Sequence, residues 1–216
     1  MAQGKIINDS KSGNYVSGNK VFILDKFSSQ TSNELIGNLS DMVSAMPQAT
    51  MYQSNQSIVS PYDIENIDNP IIDVYINSNG GDVAILDSIN ILLSIAKFNG
   101  AIIRTTVLSK AYSCGSLLAI SGTPGFRIMY SQAYHFVHFG HHSFGVSKED
   151  EINMAAKQIK EQSANKRNMY LQHTNLTAAQ LRKLQSNEQG FLNANDCLKY
   201  GLCDWVINDF GKIRTR

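Results

Sequence analysis

The most constraining feature of the sequence is an apolar run, Ile71-Ile72-Asp73-Val74-Tyr75-Ile76, that breaks into Asn77-Ser78-Asn79-Gly80-Gly81 and resumes as an apolar stretch from Val83 to Ala96. The first run reads as a strand, and the Asn/Ser/Gly cluster as a sharp turn. The second apolar stretch predicts a buried helix over about residues 82–96, and residues 101–108 predict the next strand. Strand, helix and strand in this order form a βαβ unit, so the class is α/β with largely parallel pairing.

The flanking chain extends the pattern. Residues 20–24 (KVFIL) read as a short strand. Leu35, Ile36, Leu39, Met42 and Val43 recur at helical spacing within 31–46, with Thr31 or Ser32 as the cap. Residues 113–120 turn apolar after their first positions and read as a buried helix. Residues 126–130 and 133–138 read as two strands. A long polar helix is expected over 149–173, with Ile152, Ala155, Ala156 and Ile159 along one stripe. Short helices follow over 178–184 and 194–200, the second stopped by Gly201, and residues 205–207 close as a strand. The Gly-, Ser- and Asn-rich residues 1–19 read as a flexible N-terminal arm, 20–210 as a single domain, 47–69 as a surface insertion and 211–216 as a C-terminal tail.

Composition excludes several classes. Charged residues make up 17% of the 216, and the formal net charge is +1. Lys and Arg form no basic stripe, so neither nucleic acid nor an anionic membrane surface is an expected partner. The most apolar segment is interrupted by Asp87, Ser88 and Asn90, so no stretch is fit to span a bilayer. Residues 1–20 are polar and lack the apolar core of a secretory leader. The three cysteines, Cys114, Cys197 and Cys203, have no metal-ligand spacing. A reducing, cytoplasmic compartment with free thiols is the expectation.

Three features carry candidate chemistry. Ser113 stands between a strand and an apolar helix, in Ala111-Tyr112-Ser113-Cys114-Gly115. There a serine lies beside the free amides of a helix start, and the amide of Cys114 is placed to donate to an oxyanion. A serine at that point is equally at home as a helix cap, and the segment alone favours the cap. The paired Gly80-Gly81 frees the backbone to approach a ligand, with the Gly81 amide as a second donor; a tight turn explains the pair as well. Four of five histidines fall at His135, His138, His141 and His142. Strand alternation puts His135 and His138 on opposite faces. An imidazole of near-neutral pKa is the usual base for a serine alcohol. No carboxylate or cysteine stands at ligand spacing beside the cluster, so no metal and no cofactor is expected. Lys110 raises a Ser-Lys dyad, but three positions along a strand it faces elsewhere.

Together, in this order and spacing, these segments resemble the ClpP family of self-compartmentalised serine peptidases, over about residues 20–204. Val74-Tyr75-Ile76-Asn77-Ser78-Asn79-Gly80-Gly81 is similar to the family's strand and glycine turn, with Asn79 where proline is usual. The Ser113 segment resembles the nucleophile segment. Residues 127–138 align without gaps to the strand pair ending in the family's Ile-His, which implies His138 as the base and not His135. Phe191-Leu192-Asn193-Ala194 and Tyr200-Gly201-Leu202-Cys203-Asp204 resemble the closing signature.

The resemblance implies a spiral of βαβ units of the ClpP/crotonase type with a protruding handle helix. It implies a serine endopeptidase working through an acyl-enzyme inside stacked heptameric rings, a tetradecamer, fed by a hexameric ATP-dependent unfoldase. The catalytic set would be Ser113 and His138, with Gly81 and Cys114 as the oxyanion hole. Acyl-CoA enzymes of the crotonase type share the spiral, but the Ser–His pair and the short chain argue against them.

One departure stands out. The family's triad aspartate falls a few residues before Phe191, yet Leu184-Gln185-Ser186-Asn187-Glu188-Gln189 holds none. Gln185 or Asn187 is then the orienting residue through its carbonyl, or Glu188 if the loop shifts. An amide fixes the histidine tautomer but does not stabilise the imidazolium as a carboxylate does. The alternative is a catalytically weak or inactive structural subunit of such rings.

Overall fold

The structure, a computed structural model, describes residues 13–52, 60–62, 67–138, 149–186, 190–208 and 213–215. In chain order the elements are β1 (Asn14–Ser17), β2 (Lys20–Ile23), α1 (Ser29–Ser44), β3 (Ile71–Ser78), α2 (Val83–Phe98), β4 (Ile102–Tyr112), α3 (Cys114–Ile120) and β5 (Arg127–Tyr130). They continue with β6 (Tyr134–Phe136), α4 (Glu149–His173), α5 (Ala178–Ser186), β7 (Phe191–Asn193), α6 (Ala194–Tyr200), β8 (Trp205–Ile207) and β9 (Ile213–Thr215).

The class is α/β around one mostly parallel sheet, as the alternating apolar runs predict. Its main path runs β1-β2-β3-β4-β5-β8-β9. Pairings from β2 through β8 along this path are parallel, and the two edges, β1 on β2 and β9 on β8, are antiparallel. The long β4 has two partners on one side. Thr105–Val107 pair with β5, and Lys110–Tyr112 pair with β6. This change of partner diverts β6, with β7 antiparallel to it, away from the main path.

The core follows the apolar runs. Val21, Ile23, Val74, Ile76 and Ile103 on the strands are fully buried, as are Leu39 of α1 and Ile89 of α2. Burying one such side chain is worth roughly 1.5–3 kcal/mol. The end of α2 carries Lys97, whose Nζ donates to the Ser121 carbonyl at 2.9 Å. On the β5 side, Arg127 forks onto Asp204, with Nη2–Oδ1 2.6 Å and Nε–Oδ2 2.9 Å. Among the described residues no helix is long and apolar enough to cross a membrane.

Several expectations are corrected. Residues 14–17 of the expected flexible arm form β1. Asn14 is 1% exposed, and its amide reaches Lys26 O and Ser32 Oγ while its Oδ1 accepts from Asp25 N. Side-chain hydrogen bonds thus hold a strand that composition reads as loose. Residues 213–215 of the expected tail form β9, held by main-chain pairing although every side chain is exposed. The cap of α1 is Ser28, in a capping box with Thr31, so neither Thr31 nor Ser32 is the cap. The described parts of the 47–69 insertion are tied down. Pro61 O accepts from Arg104 Nη1 at 3.0 Å, and the Asn69 amide reaches Thr50 O and Gly100 O.

The helix α4 has the expected bounds, and its apolar stripe is largely uncovered. Ile152 is 50% exposed and Met154 73%, while Ala155 and Ile159 are half-buried. Its later half turns inward, with Lys166 and Tyr170 buried.

Candidate active site

The parallel register of β3, β4 and β6 brings the three sequence features to one end of the sheet. Ser78 pairs with Ala111, and Ala111 with His135. Each chain then leaves its strand at the same level: β3 into Gly80-Gly81, β4 into Ser113, and β6 into Val137-His138.

Gly80 and Gly81 have φ of +87° and +141°. A Cβ on Gly80 would stand 2.6 Å from Tyr112 O and 2.7 Å from Ser113 Cβ. The turn therefore packs its bare backbone against the serine. Phe27 N donates to Gly80 O at 2.8 Å, and Asp82 N donates to Phe27 O at 2.9 Å. In this parallel bridge the middle residue, Gly81, turns its carbonyl to the far side. There its carbonyl meets the thiol of Cys114, with Sγ 3.1 Å away. Asp82 caps α2 by accepting from Ala84 N at 2.8 Å.

Ser113 has φ 54° and ψ −117°, the one positive φ among the described non-glycine residues. An L-residue held there stores roughly 1–3 kcal/mol of strain. The strain is held from both sides. Ser113 N donates to Phe136 O at 2.9 Å, and Ser113 O accepts from Ser116 N at 3.0 Å. Ser113 occupies the N-cap position of α3, yet its side chain makes no capping hydrogen bond. A cap role therefore leaves the hydroxyl unexplained, and the helix-start amide of Cys114 lies beside it. Burial pushes the Cys114 thiol up, opposed by the Lys166 charge, the Gly81 backbone and the Ser113 hydroxyl.

The two strand histidines separate as alternation predicts. His135 is 0% exposed and points into the core. His138 is half-buried and stacks on Phe136, ring centroids 4.6 Å apart. Phe136 stacks in turn on Phe191 at 4.2 Å, and Tyr112 meets both rings edge-on. This aromatic group was not singled out from sequence, although the shared face of Phe136 and His138 is its signal. Val137 N donates to Gly190 O at 2.8 Å, which ties the end of β6 to the start of β7.

The other candidates fall as follows. Gln185 is half-buried near the end of α5, and its Nε2 is buried without a hydrogen-bond partner among the described residues. Asn187, Glu188, His141 and His142 lie outside the described residues. Lys110 pairs with Tyr134, three residues before Ser113 on an extended strand, roughly 10 Å back along it. The Ser-Lys arrangement has no geometric support. Among the described residues no group of three or more His, Cys, Asp or Glu is placed to hold a metal. All three cysteines are buried and free.

The family model described as Clp protease matches residues 30–210. The chain is 28% identical over 137 residues to the ATP-dependent Clp protease proteolytic subunit 4 of Streptomyces avermitilis, covering 63% of this chain and 59% of that protein. It is 28% identical over 136 residues to the proteolytic subunit 2 of Streptomyces coelicolor, covering 63% and 61%. The proteolytic subunit of Deinococcus radiodurans is 28% identical over 162 residues, covering 72% and 75%. The chain spans less than two thirds of the length of the two Streptomyces relatives. With the match extending over most of its residues, the chain belongs to the Clp protease family.

Proposed function

We propose that the protein is a serine endopeptidase of the Clp type, cleaving peptides and unfolded proteins through a Ser113 acyl-enzyme. The observation that carries this reading is the strained Ser113 backbone, packed against the bare Gly80 backbone and bonded through its N–H to the strand that leads into His138. In the proposed reaction, His138 takes the Ser113 proton as Oγ attacks the scissile carbonyl. The amides of Gly81 and Cys114 stabilise the oxyanion. His138 then protonates the leaving amine, and a water activated by the same ring releases the acyl group.

The third member is Gln185, whose amide carbonyl would orient His138; Asn187 is the other candidate. The absence of an aspartate in 184–189 favours low turnover, and it motivates a second reading, a catalytically weak or inactive ring subunit. We also infer assembly into stacked heptameric rings and substrate delivery by a hexameric ATP-dependent unfoldase. The apolar Ile152 and Met154, exposed on the first half of α4, support assembly.

A fluorophosphonate probe tests the central claim. Labelling of the assembled wild type, lost in Ser113→Ala, is expected. Absence of labelling in assembled protein sinks the peptidase reading and favours the second one.

A further inference from the structure

Three polar side chains meet in the interior from three separate elements. Ser116 on α3, His135 on β6 and Tyr170 on α4 are each 0% exposed. The Tyr170 hydroxyl donates to Ser116 Oγ at 2.9 Å. Ser116 Oγ lies 2.9 Å from His135 Nδ1. Ser116 Oγ thus bridges the Tyr170 hydroxyl and the Nδ1 of the His135 ring, whose other nitrogen is Nε2. That Nε2 is buried with no hydrogen-bond partner among the described residues.

All three members are neutral. Desolvation, then the charge of Arg127, drives the His135 pKa down to about 3. Burial pushes the Tyr170 phenol up. Three apolar side chains of similar volume would fill this space without desolvating four polar atoms. What hydrogen bonds add over packing is direction, because a satisfied buried network specifies one arrangement of the elements that carry it.

The placement shows which arrangement that is. Ser116 stands one helical turn after Ser113 and donates its N–H to Ser113 O at 3.0 Å. His135 stands three residues before His138, on a strand held between Ala111 of β4 and Leu192 of β7. Tyr170 belongs to the inward half of α4 and is 54 residues away from Ser116 in sequence. The network therefore touches the element that presents Ser113, the element that leads into His138, and one long helix behind both.

We propose that Tyr170, Ser116 and His135 form a positioning unit that sets the geometry of Ser113 relative to His138 and anchors it on α4. The proposal rests on the peptidase reading of Ser113 and His138. None of the three touches substrate; they act through the residues they hold.

The test is Tyr170→Phe, which deletes one hydroxyl and keeps the ring. Two quantities are measured on full-length assembled protein. One is the rate constant of fluorophosphonate labelling across about pH 5 to 9. The other is the nitrogen-15 NMR signal of the His138 ring, which needs no activity. We expect labelling to slow by about 5- to 30-fold with the melting temperature nearly unchanged. The peptide KM stays at its wild-type value, and the His138 ring signals move. The double variant Tyr170→Phe/Ser116→Ala is no slower than the worse single variant, because the members act as one unit. Tyr200→Phe, outside the network, leaves both readouts alone. A wild-type labelling rate together with a wild-type His138 spectrum in Tyr170→Phe overturns the proposal. If the wild type itself does not label, the peptidase reading fails, and the spectrum alone decides the network: moved His138 signals uphold it and unmoved signals overturn it.

Discussion

The imidazole of His138 lies almost flat on the ring of Phe136, with centroids 4.6 Å apart and planes 21° apart. Phe136 is itself clamped by Phe191 and Tyr112. The stack fixes the tilt of the candidate base. Stacked aromatic pairs add about 0.5–1.5 kcal/mol beyond area burial. Phe136→Leu is therefore expected to slow fluorophosphonate labelling by about 2- to 10-fold while the protein still folds. Labelling kinetics beside a thermal melt check it, and an unchanged rate removes the stack from the site.

Gly80 is expected to tolerate no side chain. A Cβ there would stand 2.6 Å from Tyr112 O at a φ of +87°. Backbone lines one wall, so no flexible atom is free to give way. Positive φ and overpacking together predict that Gly80→Ala loses about 2–4 kcal/mol of stability. Urea unfolding measures the loss, and the same variant is expected to label poorly, because the atoms displaced belong to the Ser113 turn.

His135 makes stability depend on pH in a definite direction. Its ring titrates near about 3 in the folded protein against an ordinary 6.5. Above 6.5 neither folded nor unfolded chain binds the proton, and the group contributes no slope. Between 6.5 and about 3 the unfolded chain is protonated and the folded chain is not. Stability thus falls as pH falls through this window, by up to about 1.4 kcal/mol per pH unit from this one group. His173, lowered by burial and then by the Lys97 and Arg127 charges, adds to the loss in the same direction. Urea titrations at pH 7 and pH 5 (set values of the experiment, spanning roughly the ordinary histidine range) are expected to show a shallower pH slope for His135→Val than for the wild type.

Gln185 offers a gain-of-function check. If it orients His138, Gln185→Asp supplies the aspartate that the segment 184–189 lacks. A carboxylate stabilises the imidazolium formed during attack, and the reverse change in a standard triad lowers turnover about ten-thousand-fold. A rise of at least about tenfold in labelling rate is the expected result. No rise, with the fold intact, transfers the role to residue 187 or 188.

The order and type of the central elements were legible from apolar periodicity. That signal is local, and it marked α4, α6 and β8 at their observed bounds. The opposite facing of His135 and His138 was legible for the same reason, since alternation along a strand is a property of the strand alone. The edge strands were not. Asn14 and the exposed β9 carry no hydrophobic pattern; main-chain pairing with the neighbouring strands β2 and β8, and the side-chain hydrogen bonds of Asn14, hold them.

The same division runs through the site. Sequence by itself determined that Gly80-Gly81 and Ser113 each come after a predicted strand and that His138 ends one, which is why they stood out in order. Only the tertiary structure decided how they meet. The strained turn at Ser113 exists because Phe136 O and the backbone of Gly80 hold it from outside its own segment. The Tyr170–Ser116–His135 network joins residues 54 and 19 positions apart. A hydrogen bond between distant residues leaves no period in the chain, so a serine, a histidine and a tyrosine became one unit only when three elements packed around them.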